Sequence, residues 1–124
     1  VQWTGVVRLG AGVDLDQVPP TIRTSEAKAD IRESSSFFVK SIKAQEQSLA
    51  PWDGSATPTR RQCVETLSTQ GTTEWGESGE EEVEDDSIFC VRTSEGRIAV
   101  MKLKKAIYHE MQATVKVWNS LESL

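Results

Sequence analysis

The last third of the chain carries the pattern that most limits its fold. Ile88-Phe89-Cys90-Val91-Arg92-Thr93 is rich in β-branched and aromatic residues. Ile98-Ala99-Val100-Met101-Lys102-Leu103 repeats that character after four intervening residues, Ser94-Glu95-Gly96-Arg97. Gly96 can take a positive φ at no steric cost, so those four residues read as a tight turn. After a loop around Tyr108-His109-Glu110, the run Ala113-Thr114-Val115-Lys116-Val117-Trp118 places Ala113, Val115 and Val117 on one face. Thr114 and Lys116 point the other way, the alternation of a half-buried strand. Three consecutive strands of this kind form an antiparallel meander. Its apolar faces need cover, and the rest of the chain has to supply it.

Earlier segments predict further strands and one helix. Residues 2–9 place Trp3, Val7 and Leu9 on one parity, interrupted at Gly5. Gly10-Ala11-Gly12 is a turn; it lacks the third glycine and following helix of a phosphate loop. Val13 and Leu15 alternate with Asp14 and Asp16, a short strand with its acids outward, and Pro19-Pro20 stops it. We expect loop over 21–28, a short strand over 29–33, a better one over 37–42, and loop again over 44–56, where Pro51-Trp52-Asp53-Gly54-Ser55 has turn chemistry. Thr57-Pro58 predicts a helix start, with Thr57 as the cap and Pro58 at the first helical position. Cys63, Val64 and Leu67 then form a narrow apolar stripe, and Gly71 is a stop, so the helix should span 58–70. Residues 72–87 read as an acidic loop, with eight acids between Glu74 and Asp86 and no base from Gln62 to Val91. The tail from Asn119 should fray. The expected fold is mainly β (α+β): one domain over 1–124, a small antiparallel sheet or sandwich with one packed helix and a C-terminal three-strand meander.

Composition narrows the function classes. With 124 residues, the chain fits one domain. Nineteen acids against 14 bases give a net charge of −5, which argues against sequence-independent nucleic-acid binding. No apolar run approaches the ~20 residues of a membrane helix, so no membrane insertion by this segment is expected. The chain enters a strand pattern directly from Val1, so we expect a mature protein or an excised piece, with any signal or anchor outside it.

Two cysteines, Cys63 and Cys90, and one histidine, His109, fall short of a closed tetrahedral zinc site. One disulfide or two buried free thiols remain. Both cysteines sit in apolar patterns whose faces need to meet, which favours a bridge stapling helix to sheet. Such a bridge closes a ring of about 28 residues, worth about 3.6 kcal/mol in the chain-entropy account. It implies an oxidising compartment.

The run Ala-Pro-Trp-Asp-Gly-Ser-Ala-Thr-Pro-Thr-Arg-Arg-Gln-Cys (50–63), the run Phe-Cys-Val-Arg-Thr-Ser-Glu-Gly-Arg-Ile-Ala (89–99) and the closing Val115-Lys116-Val117-Trp118 together resemble secreted or membrane-tethered actinobacterial ectodomains. Their pattern is a TPTxxxC helix, a CVRTxEGRxA hairpin and a VxVW strand. The stretch from Trp3 to Pro20 fits the same likeness, which covers about two-thirds of the chain. The resemblance implies an extracytoplasmic location, a disulfide, and attachment to a signalling or anchoring segment. It implies no catalytic residue, and the acidic insert at 74–86 is longer than that pattern suggests.

The chemistry-bearing residues point the same way. A Ser/His/Asp triad would have to use His109, which lies in a turn with no GxSxG in the chain; a surface histidine is the simpler reading. Asp14 and Asp16 share one strand face, which offers paired carboxylates, but a solvent-facing pair is the plainer reading than an acid/base couple. No catalytic residue and no cofactor are expected. Glu80, Glu82, Asp85 and Asp86 are weak cation candidates, since hard oxygen ligands in a loop suit calcium; the order of an EF-hand is missing, and a solvated acidic loop or a dock for a basic partner are the alternatives. Trp52 and Trp75 fall in predicted loops, where an aromatic face can stack on a ligand; an anchor folded onto the core is the plainer role. Trp3 and Trp118 fall in strands and read as core. Arg60 and Arg61 oppose the helix dipole and are candidates to take an anion or to pair with the acidic loop; solvent exposure is the plainer reading. We therefore expect a non-enzymatic extracytoplasmic sensor or interaction domain with a protein or glycan ligand; the alternative is a small secreted carbohydrate-binding protein or hydrolase.

The acidic segment has only Trp75 and Val83 to bury. Deleting residues 77–84 should leave the melting temperature within a few degrees, because exposed loops tolerate length change. Thermal denaturation followed by circular dichroism checks this, and a larger loss would place Val83 in the core.

Overall fold

The computed structural model describes residues 3–9, 12–17, 20–22, 30–33, 42–44, 48–53, 56–72, 74–75, 86–93, 95–105 and 112–118. Its elements are β1 (Trp3–Arg8), β2 (Val13–Asp14), β3 (Thr21–Ile22), β4 (Ile31–Glu33), β5 (Ile42–Ala44), β6 (Leu49–Trp52), α1 (Arg60–Gln70), β7 (Glu74–Trp75), β8 (Ile88–Arg92), β9 (Ile98–Lys105) and β10 (Gln112–Val117). They form two antiparallel sheets, one in the order β1-β10-β9-β8-β6 and a smaller one in the order β3-β2-β4-β5-β7. The C-terminal meander is β8-β9-β10, with β1 added beside β10 and β6 beside β8.

Side-chain alternation in the larger sheet separates two cores. Phe89, Val91, Ala99, Met101, Leu103, Ala113, Val115 and Val117 face one way and pack with Val13 of β2, Leu15 and Ile31 of β4. Ile88, Cys90, Ile98 and Val100 face the other way and meet Cys63 and Leu67 of α1. The larger sheet is thus covered by the smaller sheet on one side and by the helix on the other. β8 needs both covers, because all four residues from Ile88 to Val91 are buried. Trp3 packs against the first core. Its ring lies over Gly5, where a Cβ would come within 2.6 Å of the indole. That close approach explains the break in the alternation of β1.

Several boundaries differ from the sequence expectation. The helix cap is Thr59, not Thr57, and Pro58 lies before the cap rather than inside the helix. Thr59 Oγ1 accepts the Gln62 backbone N–H at 3.1 Å, and Gln62 Oε1 accepts the Thr59 N–H at 2.8 Å. This reciprocal box satisfies two donors, where a cap at Thr57 faces Arg60 three residues on and can satisfy only one. Gly71 does end the helix, with an ordinary φ of −59° and its N–H on the Leu67 carbonyl. It stops there because Thr72 leaves to exchange two backbone hydrogen bonds with Leu49. The expected loop at 44–56 contains β6. Pro51 hides that strand in the sequence, yet it is tolerated because β6 ends its sheet. The expected loop at 21–28 opens with β3, and within the expected acidic loop at 72–87 Glu74–Trp75 form β7. Of the expected strand at 37–42, only Ile42 falls among the described residues, where it opens β5; the tail from Asn119 lies outside them.

Cys63 and Cys90 are disulfide-bonded, with their Cα atoms 5.2 Å apart, inside the usual range for an unforced bridge. Both are fully buried between α1 and the sheet. Replacing both by serine should lower the urea midpoint by the equivalent of about 2–4 kcal/mol. The parent protein, unreduced, should weigh two hydrogens less than its reduced form. Two free thiols in the oxidised preparation would contradict the bridge.

Candidate functional site

The densest polar constellation among the described residues joins the loop after β2 to the β8–β9 turn. Asp16 was expected on a solvent face; instead its carboxylate is fully buried. The alternation fails because β2 ends at Asp14, whose Oδ1 accepts the Asp16 backbone N–H at 3.0 Å. This is an Asx turn, which swings the next side chain off the strand's parity. Asp16 Oδ1 accepts the Thr93 hydroxyl at 2.6 Å and Arg97 Nη1 at 3.0 Å, and its Oδ2 accepts the Glu95 N–H at 3.1 Å. Thr93 Oγ1 in turn accepts the Arg97 N–H at 2.9 Å. Gly96, at φ +90°, closes the turn with its N–H on the Thr93 carbonyl.

Arg97 also donates to Glu95 Oε1 at 2.9 Å. The Glu95 carboxylate first, and Asp16 second, raise the guanidinium pKa above its ordinary value, so this cation stays charged under all physiological conditions. Asp30 is buried on the other side of the loop, with its Oδ2 accepting the Leu15 N–H at 2.7 Å. Asp14, Asp16 and Asp30 thereby bring carboxylate oxygens within 4.8 Å of one another. Three carboxylates in such proximity suit a hard cation by composition. Here, however, each already accepts a backbone or side-chain donor, and Arg97 supplies a fixed positive charge at Asp16. The arrangement acts as a clamp: it holds the hairpin turn against the smaller sheet and neutralises one buried acid in place.

The residues singled out from sequence do not converge on one site. Trp52 lies in β6, not in a loop; it is half-buried against the helix–sheet core and its indole N–H donates to the Ala56 carbonyl at 2.9 Å. Trp75 also lies in a strand, β7, paired with Ile42. Arg60 is half-buried at the start of α1, and Arg61 is exposed and pairs with Glu65 at 3.6 Å. Asp86 is exposed at a left-handed φ of 68°, at the entry to β8. Glu80, Glu82, Asp85 and His109 lie outside the described residues. Sequence reasoning missed Thr93, Arg97 and Asp30. The signal for the first two was the polar Thr-Ser-Glu-Gly-Arg turn itself, whose threonine and arginine flank the one glycine that closes it.

A second surface was also missed. On the helix side of the larger sheet, α1 covers β6, β8 and the start of β9. It leaves bare the even-numbered residues of β1 and β10 and the far end of β9. Arg8, Lys102, Lys104 and Lys116 stand there; the exposed Asp86 adjoins the far end of β9, where its backbone N–H donates to the Leu103 carbonyl at 2.8 Å.

Comparison of the chain with protein-family models, with curated proteins and with solved structures finds no match.

The clamp predicts a stability phenotype without a cation requirement. Asp16→Asn keeps the shape but removes the charge opposite Arg97, and should cost roughly 3–5 kcal/mol in urea unfolding, as for breaking one partner of a buried pair. Millimolar calcium should leave the melting temperature of the parent within a degree. A rise of several degrees with calcium would instead assign the three aspartates to a cation.

Proposed function

We propose that this domain is a non-enzymatic interaction or sensor module that works outside the cytoplasm. The Cys63–Cys90 bridge is the observation that carries the reading: it ties the only helix among the described residues to the inner strand β8, and a bond of that kind persists in oxidising compartments. It also occupies both thiols of the chain, which leaves neither cysteine as a nucleophile. The clamp gives further support, since its carboxylates and arginine are engaged with one another and with the backbone. The resemblance of 50–63, 89–99 and 115–118 to actinobacterial ectodomains accords with the same reading, and suggests an anchoring or signalling segment in the full-length context.

A small secreted carbohydrate-binding protein or hydrolase is the alternative. A stacking role asks for a tryptophan face free of the core. Trp52 is half-exposed, but its ring packs on the helix–sheet core and its N–H is engaged. That places less weight on a sugar site there.

The test has two arms. Ester, peptide and glycoside substrates should show no turnover by the parent protein or by His109→Ala. Tryptophan fluorescence should report saturable binding to a member of a peptide and glycan panel. Turnover by the parent that falls ~10²-fold or more in His109→Ala, the size of a lost general base, would make the domain an enzyme and overturn the reading.

A further inference from the structure

The bare half of the larger sheet combines three features that meet nowhere else among the described residues. The first is charge. Arg8 on β1, Lys116 on β10, and Lys102 and Lys104 on β9 share one face, on a chain whose net charge is −5. Cross-strand pairing sets Lys102 against Thr114, Thr114 against Val6, and Lys116 against Thr4. Neighbouring strands lie about 4.8 Å apart, so the four cations fall within roughly one to two Debye lengths of each other at physiological salt. The second is an open backbone edge. Among the described residues, β1 has β10 on one side and no strand on the other, and its six residues contain no proline. The third is apolar exposure. Val6, in the middle of β1, is the exposed large hydrophobic residue of the described chain, at 51% of its full accessibility.

We propose that this surface docks an acidic polypeptide segment in extended form, added as a strand along β1. The proposal rests on the interaction-module reading and names its partner class. An added strand takes its main-chain hydrogen bonds from the open edge of β1, and specificity from alternate side chains. Side chains on the basic face then fall beside Thr4, Val6 and Arg8. A carboxylate next to Arg8 gains a direct partner, an apolar side chain covers Val6, and Lys116, Lys102 and Lys104 hold the remaining carboxylates through the field of the face. A sulfated glycan would use the cations but leave the backbone edge and Val6 unused. An anionic membrane would call for a wider apolar rim than one valine. The edge charges also serve a single chain by discouraging edge-to-edge self-association; that role predicts no ligand, and binding separates the two.

The probe is a fluorescein-labelled twelve-residue peptide of alternating Glu and Val, titrated against the intact domain by fluorescence anisotropy. Matched arms use the Lys/Val counterpart, a sulfated oligosaccharide, and vesicles containing phosphatidylserine. The acidic peptide should bind and the basic one should not, with affinity falling as salt rises from 50 to 300 mM. Arg8→Glu, exposed on the edge strand itself, should weaken binding at least 10-fold with the melting temperature kept; Lys116→Glu, on the neighbouring strand, serves as the second variant if Arg8→Glu destabilises the fold. Amide exchange should slow at Thr4–Arg8 on binding, and not along β6. No binding by the acidic peptide, binding insensitive to these variants, unchanged exchange on β1, or tighter binding to the glycan or the vesicles would each overturn the proposal. If the peptide fails while another ligand binds elsewhere on the domain, only the docking proposal falls; substrate turnover would instead overturn the interaction-module reading beneath it.

Discussion

The double burial of β8 is the constraint on which the other elements depend. Ile88, Phe89, Cys90 and Val91 are all out of water, so a cover on one side of the strand is not enough. Each residue of this kind that stays exposed forfeits about 1.5–3 kcal/mol. Strand alternation then dictates that Phe89 and Val91 need one layer and Ile88 and Cys90 another. The smaller sheet answers the first demand with Val13 and Ile31, and the helix answers the second with Cys63 and Leu67. β8 is also an inner strand, held by β9 on one edge and β6 on the other, so its backbone is paired on both sides as its side chains are covered on both faces.

The helix is the weaker of the two covers. It has 11 residues, two of them fully buried, and carries no acid in its first turn to complement the dipole. A helix so short is marginal without tertiary support. Three devices hold it in place: the reciprocal Thr59–Gln62 cap at one end, the Thr72–Leu49 bridge at the other, and the disulfide in between. The disulfide joins the first turn of α1 to the middle of β8. It acts at the point where a slip of the helix along the sheet would expose Ile88 and Val100 together.

The meander, the helix and the pairing of the cysteines were legible in the sequence because each rests on local pattern: alternation over six residues, a threonine before an apolar stripe, a cysteine on each of two faces that must meet. What stayed hidden depends on distant partners. Asp16 reads as outward from its strand parity, and turns inward only because Thr93 and Arg97, 77 and 81 residues away, wait for it. β6 was masked by turn-forming residues, with Pro51 acceptable once its strand lies at an edge. The cap moved by two residues because Gln62 answers Thr59 and no side chain answers Thr57. The basic face was invisible for another reason: Arg8, Lys102, Lys104 and Lys116 come from three separate strands, and only the order β1-β10-β9 brings them side by side.

The distribution of charge follows from that order. Among the described residues, the buried acids Asp16 and Asp30 are held by donors from the loops and turns that connect strands, so negative charge is spent inside on positioning the second sheet. The cations on the bare half of the larger sheet have no such task. Lys116 extends over the Trp118 ring, 5.4 Å from its centroid, while Lys102 and Lys104 stand in water on the same face. Four like charges on one small surface repel one another, by up to about 1 kcal/mol for an exposed pair 4 Å apart in bulk water and less at the wider spacings of a sheet. A fold held by two cores and a disulfide tolerates that cost. The cost is relieved when an anion is brought to the face, and it is greatest for the pair Lys102 and Lys104, two residues apart on the same strand. The two halves of one face therefore differ: the apolar half under α1 builds the second core, and the other half carries exposed cations.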